Sequence, residues 1–306
     1  MPAELVLGAV QLGLPYGATN RTGQPSHAAA LRLVGRAFDH GISTFDTARA
    51  YGNSEERLGE ALSARPVRMV TKLSPLATLA DDAPRETVRA EVDASIAQSL
   101  CALRQDRIAS LMLHRAAHRI SHNGAIWERL IERVEEGVIL ALGVSVQSPQ
   151  EALEALACPD VQHLQMPFNL LDWRWRHDGV IAAILARPRV TIHVRSVFLQ
   201  GVLAARDPSV WPRLSGIRAT ELIAHIDALV EDFGRCSPAD LCLAYARGQQ
   251  WVDGVVVGME TEDQLETNVS LFLRPPLLPP ECRRIEARCP HVPEALLNPA
   301  SWPALG

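Results

Sequence analysis

Eight short, uniformly apolar runs punctuate the chain, and each is followed by a segment with helical spacing. The runs are Leu5–Val10, Ile42–Phe45, Val67–Thr71, Ile108–Leu113, Ile139–Val144, Val161–Met166, Val190–Val194 and Val252–Val257. Helical patterns cover Ala28–His40, Ser54–Ser63, Arg85–Leu103, Ile126–Glu136, Pro149–Ala157, Val180–Ala186, Pro238–Arg247 and Thr261–Phe272. Runs without polar alternation suit strands buried on both faces, which is the condition of parallel strands joined by helices. Eight such units in about 260 residues match a (β/α)8 barrel, which takes about 250. A doubly wound open sheet is the competing architecture. It would carry a glycine-rich phosphate fingerprint after its first strand, and "GAVQLGLPYG" is not G-x-G-x-x-G.

Local punctuation agrees with this division. Asn53-x-x-Glu56 has the spacing of a capping box, Gly41 and Gly137 fall where helices would end, and Pro149 and Pro238 suit first-turn positions. Two regions lie outside the repeat. The stretch Phe198–Phe233 is long and contains an extra helix near 219–233, and the tail 274–306 is rich in proline. Loops of that length in a barrel are usually lids or decoration, and nothing reads as a linker. The whole chain, 1–306, is therefore expected to be a single barrel domain.

The charge balance narrows the partners. A net charge of −5, a pI near 6.1 and no block of like charge give no footprint for nucleic acid or for an acidic membrane surface. A small-molecule partner is expected. The six cysteines are scattered without a C-x-x-C pair, and no signal-peptide pattern is visible at Met1, as expected of reduced thiols in a cytoplasmic protein. No apolar stretch approaches the roughly 20 residues that span a bilayer.

Catalytic groups of a parallel barrel stand at the carboxyl ends of its strands. Asp46, Lys72 and His114 end runs two, three and four, and Tyr51 lies on the short loop after Asp46. Neighbouring strands lie roughly 4.8 Å apart, so these four side chains should share one sector of the rim. A nearby ammonium favours phenolate and makes a phenol a better proton donor. Lys72 can serve as that ammonium, held charged by an ion pair with Asp46. His114 can donate to a carbonyl oxygen and stabilise negative charge as it develops. Such a site protonates an oxygen while hydride reaches the adjacent carbon, and no side chain supplies hydride. A nicotinamide is implied.

At this point the chain resembles the aldo-keto reductases. The likeness runs from about Leu5 to Phe272 through "GISTFDTARAYGNSEERLGEAL", "VTKL", "LMLHRA", "LGVSVQS", "LQMPFNLLD" and "GMETEDQLETN". It implies that Asp46, Tyr51, Lys72 and His114 form the family's catalytic tetrad. It also implies an NAD(P)H cofactor, with Ser145 and Gln165 at the carboxamide. Val146 stands where the family usually has asparagine, and Arg195 where a tyrosine commonly stacks under the nicotinamide. Ser196, Phe198, Gln200 and Gly201 match the pyrophosphate loop, and Gly258, Glu260, Thr261, Gln264 and Asn268 fall around the adenosine half. Glu260 would repel a 2′-phosphate and could accept from a ribose hydroxyl, so NAD(H) is expected over NADP(H).

Other features carry less. His114, His118 and His122 recur every four residues, but "ASLMLH" reads as strand and "RAAHRISHNG" as loop, so no metal face is expected. Trp173 and Trp175 follow the sixth run, where they could line a substrate pocket or pack a loop. Tyr16, Asn20 and Arg21 follow the first run and could contact substrate or form a solvated turn. The polar, arginine-bearing loops suggest a hydroxylated substrate such as a sugar. Two alternatives stand beside the oxidoreductase: a cofactor-retaining sensor or scaffold subunit with little turnover, and a metal-dependent barrel hydrolase or lyase.

Overall fold

The computed structural model describes residues 3–303. Eight parallel strands close on themselves in sequence order: β1 (Glu4–Gly8), β2 (Thr44–Asp46), β3 (Arg68–Lys72), β4 (Ser110–Leu113), β5 (Leu142–Ser145), β6 (His163–Pro167), β7 (Thr191–Arg195) and β8 (Gly254–Gly258). β1 pairs with both β2 and β8, which excludes the open doubly wound sheet. The strands are buried nearly throughout, inside against one another and outside against the helical ring. That two-sided burial is why the runs carry no polar alternation.

Helices and caps form largely where local chemistry requires them. Arg85–Leu103, Pro149–Ala157 and Pro238–Arg247 match their patterns end to end. Ser148 and Ser237 cap the latter two by accepting from backbone N–H groups three residues on, with proline in the first turn. Strands two to eight begin one to three residues later than their apolar runs. In β5, for example, Ile139 makes only an isolated bridge to Ile108, and Leu140 is exposed. The capping box at Asn53 does not form: its side chain accepts from Gln24 Nε2 at 2.9 Å instead.

The extra helix, Ala219–Asp232, follows β7 as expected. The tail packs on the barrel. Pro279 and Pro280 begin a helix, Pro279–Arg288, and Leu277, Ile285, Val292 and Leu296 are buried against the barrel. Residues 304–306 lie outside the described residues.

The amino end of the barrel is plugged by polar groups. His163 Nδ1 lies 2.8 Å from Ser110 Oγ, and the His193 ring meets His163 edge-on at 4.2 Å between centroids. Glu4 accepts from Thr44 and from Arg68. Complete burial, and secondarily His193, holds the His163 pKa well below its usual value. The folded protein therefore resists a proton that the unfolded chain accepts below about pH 6.5, so stability falls as pH drops through that range. Melting temperature is expected to be lower at pH 5 than at pH 7, with a shallower dependence in His163→Asn. Equal pH slopes in the two proteins would exclude His163 as a source.

Candidate active site

The carboxyl ends of the strands surround a cavity of about 590 Å³. On one side, the sequence from Phe45 to Leu62 shapes a loop and helix that hold Tyr51 at the cavity wall. Thr47 and Ser54 share a hydrogen bond of 2.9 Å, and Ser54 Oγ donates to the Ala9 carbonyl at 2.8 Å. Glu55 is buried, where it accepts from Thr71 at 2.6 Å and pairs with Arg49. Arg57 donates to the carbonyls of Leu12 and Pro25 at 2.6 and 2.9 Å. A Cβ on Gly13 would lie 1.7 Å from the Tyr51 carbonyl oxygen, and one on Gly52, at φ +54°, would lie 2.4 Å from the Gly13 carbonyl oxygen. Backbone meets backbone here, so the loop after β1 and the loop bearing Tyr51 are locked together.

Beneath Tyr51, Lys72 Nζ donates to Asp46 Oδ1 and to the Thr47 carbonyl, each at 2.8 Å. Lys72 is 1 % exposed, and it is the only lysine among the chain's 30 lysines and arginines. Its ammonium lies 5.2 Å from the centroid of the Tyr51 ring. The other Asp46 oxygen accepts from Gln165 Nε2 at 2.7 Å, so the carboxylate is engaged on both oxygens. A buried ammonium needs such a partner to remain charged, and this one has two oxygen acceptors.

Tyr51 meets His114 edge to face, with centroids 5.6 Å apart and planes at 85°. Burial, then the charges of Lys72 and Arg195, push the His114 pKa down to about 4. His114 is accordingly neutral near pH 7, able to offer one N–H donor without competing for the proton that a carbonyl oxygen must acquire. Its Nδ1 is buried without a partner.

Of the residues expected here, Asp46, Tyr51, His114 and Ser145 line the cavity. So do Arg195, Ser196, Phe198, Gln200 and Gly201 after β7, and Gly258, Glu260, Gln264 and Asn268 after β8. Ser196, Leu199 and Gln200 have positive φ values of +59°, +47° and +55°, a concentration of costly backbone typical of a ligand-holding loop. Thr261 caps the helix Glu262–Leu273 by accepting from Gln264 N, and the Gln264 side chain accepts from Glu260 N at 2.9 Å. Tyr16 and Asn20 reach the cavity from the loop after β1, and Gln200 Nε2 donates to the Tyr16 hydroxyl at 3.4 Å across its roof.

Three substrate candidates lie elsewhere. Arg21 is exposed away from the cavity lining. Trp175 is fully buried in the core, because Arg174–His177 forms a short helical turn anchored by a buried Arg174–Asp172 pair at 2.7 Å. Trp173 stacks on His291 at 3.9 Å and donates to the Val292 carbonyl, so it packs the tail. His118 and His122 lie on separate 3-10 turns after β4, and among the described residues no three His, Cys, Asp or Glu side chains are grouped to hold a metal. No helix among them is long and apolar enough to cross a membrane.

Sequence reasoning missed Gln11, Thr19 and Gln147 on the cavity wall. Gln147 was accessible in principle, since it follows Ser145 at the two-residue spacing of an extended segment. Gln11 sits in a short helical turn, Val10–Gly13, that no periodicity announces. Its side chain occupies the space that a Cβ on Gly258 would fill, with the Oε1 atom unpartnered.

A closed parallel barrel with a buried lysine–aspartate pair, a tyrosine and a neutral histidine at one sector of its mouth defines a class of oxidoreductase site. The profile of the Aldo/keto reductase family matches residues 4–288, and the chain belongs to that family as a nicotinamide-dependent oxidoreductase. It is 25 % identical to the uncharacterized oxidoreductase YqkF of Bacillus subtilis over 78 % of this chain and 81 % of that protein. Over 40 % of this chain and 42 % of the other, it is 31 % identical to the methylglyoxal reductase DkgA of Escherichia coli O157:H7. Its fold is similar to that of the holo form of aldo-keto reductase AKR11C1 from Bacillus halodurans, with a TM-score of 0.76 at 23 % identity, covering 95 % of this chain and 93 % of that one.

Proposed function

We propose that the protein interconverts a small carbonyl compound and its alcohol, with Tyr51 exchanging the proton at the substrate oxygen. The observation that carries this reading is the Lys72 ammonium, fixed on Asp46 directly beneath the tyrosine that lines the cavity. In the reducing direction the carbonyl oxygen accepts from Tyr51 and from neutral His114. Negative charge developing there is stabilised by both donors and by the ammonium behind Tyr51. Tyr51 gives up its proton as the alcohol forms, and Lys72 stabilises the phenolate left behind. Oxidation runs the same groups backward, with Tyr51 as base.

The cavity fits a dinucleotide. Glycines at the ends of β1 and β8 open its floor, Gln11 Oε1 on its wall is a buried acceptor without a partner, and the strained loop after β7 faces it. When bound, the nicotinamide supplies or accepts the hydride. Ser145 and Gln165, in register on β5 and β6, would hold the carboxamide. Arg195 would offer the flat face that an aromatic ring offers in relatives. Ser196, Phe198, Gln200 and Gly201 would hold the pyrophosphate, and Gly258, Glu260, Thr261, Gln264 and Asn268 the adenosine half.

A panel of aldehydes, ketones and sugars, assayed with NADH and NADPH by loss of nicotinamide absorbance, tests the reading. Absence of turnover throughout would overturn it. NADH is expected to be the better cofactor, because the Glu260 carboxylate at the cavity edge repels a 2′-phosphate. Glu260→Arg is expected to raise the NADPH/NADH ratio of kcat/KM by at least about tenfold. A wild-type kcat/KM at least about tenfold higher with NADPH would reject the assignment.

A further inference from the structure

Gln165 stands on β6, on the opposite side of the closed barrel from Asp46 on β2. Its side chain nevertheless crosses the interior to reach that carboxylate, with Nε2 donating to Asp46 Oδ2 at 2.7 Å. Gln165 is 0 % exposed. Ser145, its register partner on β5, lines the cavity, and Gln165 does not. The contact with Asp46 sets the orientation of the amide, because Oε1 turned toward a carboxylate would place two acceptors against each other. Nitrogen therefore faces Asp46, and the side chain leaves its own oxygen buried without a partner.

Two other buried aspartates are served differently. Asp172 gives both oxygens to the Arg174 guanidinium, and Asp240 is held by Arg235 and by the Cys236 N–H. At Asp46 the lysine takes only Oδ1. A second cation on Oδ2 would add charge to the site, whereas an amide satisfies that oxygen and adds none. A buried carboxylate short of a donor draws a proton, and the nearest proton here is on the ammonium 2.8 Å away. Without support at Oδ2 the pair moves toward neutral acid and neutral amine, which leaves no cation to stabilise a phenolate.

We infer that Gln165 is a positioning residue for proton transfer: by donating to Asp46 Oδ2 it keeps the Asp46–Lys72 pair ionised and so governs how readily Tyr51 exchanges its proton. The inference rests on the role proposed for Tyr51. It uses the nitrogen end of the amide and leaves Oε1 to the nicotinamide carboxamide. The other charged and titratable groups around the pair and Tyr51 are His114 after β4, His163 on β6, Arg195 on β7, Tyr16 in the loop after β1, and the mutually paired Arg49 and Glu55. Burial holds both histidines below their ordinary range, so neither changes charge where a phenol is titrated.

The test compares the wild type with two variants. Gln165→Met keeps the length of the side chain and removes both polar atoms. Gln165→Asn keeps an amide in the barrel but draws it one methylene back from Asp46, and it serves if methionine prevents folding. The first readout is the ultraviolet titration of tyrosinate in the cofactor-free protein. The chain has three tyrosines, and the contribution of Tyr51 is the part that Tyr51→Phe removes. In both Gln165 variants its midpoint should move up by about one pH unit or more, the scale of a lost hydrogen bond to a charged group. The second readout is the pH profile of kcat at saturating cofactor, for the alcohol matching the best carbonyl substrate of the panel, and it should move in the same direction. An unchanged Tyr51 midpoint with weaker NADH binding overturns the inference and leaves Gln165 to the carboxamide alone. An unchanged midpoint with lower stability in urea also overturns it, by reducing Gln165 to packing. Absence of turnover with every compound and both cofactors defeats the parent reading instead, and the titration, which needs no turnover, still decides whether Gln165 controls the phenol.

Discussion

Tyr51→Phe is expected to lower kcat by about 100- to 10,000-fold, the usual contribution of a positioned proton donor, while the affinity for NADH changes little. The substitution removes one oxygen and keeps the ring. The edge-to-face contact with His114 and the tight backbone contact through Gly13 therefore persist. Loss of turnover then reports the missing proton and little else. Single-turnover measurements with preloaded NADH separate the chemical step from binding. Retention of wild-type turnover would remove Tyr51 from the reaction, and a parallel loss of cofactor affinity would recast it as a binding residue.

Lys72→Met should be as damaging to activity and far more damaging to the fold. Asp46 would remain buried with Gln165 as its partner and no cation to offset its charge. Breaking a buried pair from one side costs about 3–5 kcal/mol, because the remaining charge has lost its compensation. Urea unfolding should show a loss of that size. The double variant Asp46→Asn/Lys72→Met should recover part of the stability and none of the turnover. If Lys72→Met alone were as stable as wild type, the pair would be solvated in a way its burial contradicts.

The closed barrel was legible because two-sided burial of parallel strands leaves a direct mark, the unbroken apolar run, and because eight marks in order leave few topologies. The strand starts were less legible. Apolar residues such as Ile108 and Ile139 extend beyond the regular ladder, and the sequence does not show where pairing stops. The grouping of the four residues proposed for catalysis was legible because each sits at or near a strand end, a position that the fold itself makes special. Trp173 and Trp175 show the opposite case. Both follow a strand on the active rim, yet one packs the tail and the other the core. Their fate depends on the Arg174–Asp172 pair and on a tail more than 100 residues away in sequence, as the Trp173–Val292 bond shows (|i−j| = 119). The supports of Tyr51 were likewise hidden. Glu55 and Arg57 look like the solvated face of a helix in "SEERLG", and only the folded chain shows both buried.

The single lysine has a practical side. In most proteins an amine-directed reagent spreads over many surface sites, whereas here one lysine side chain exists and it lies under the Tyr51 ring. Its rate of acylation or reductive methylation is thus a clock for the opening of the barrel mouth. An isotope-labelled methyl group installed there would place one resolved side-chain reporter in the protein, between Asp46 and the Tyr51 ring at the barrel mouth.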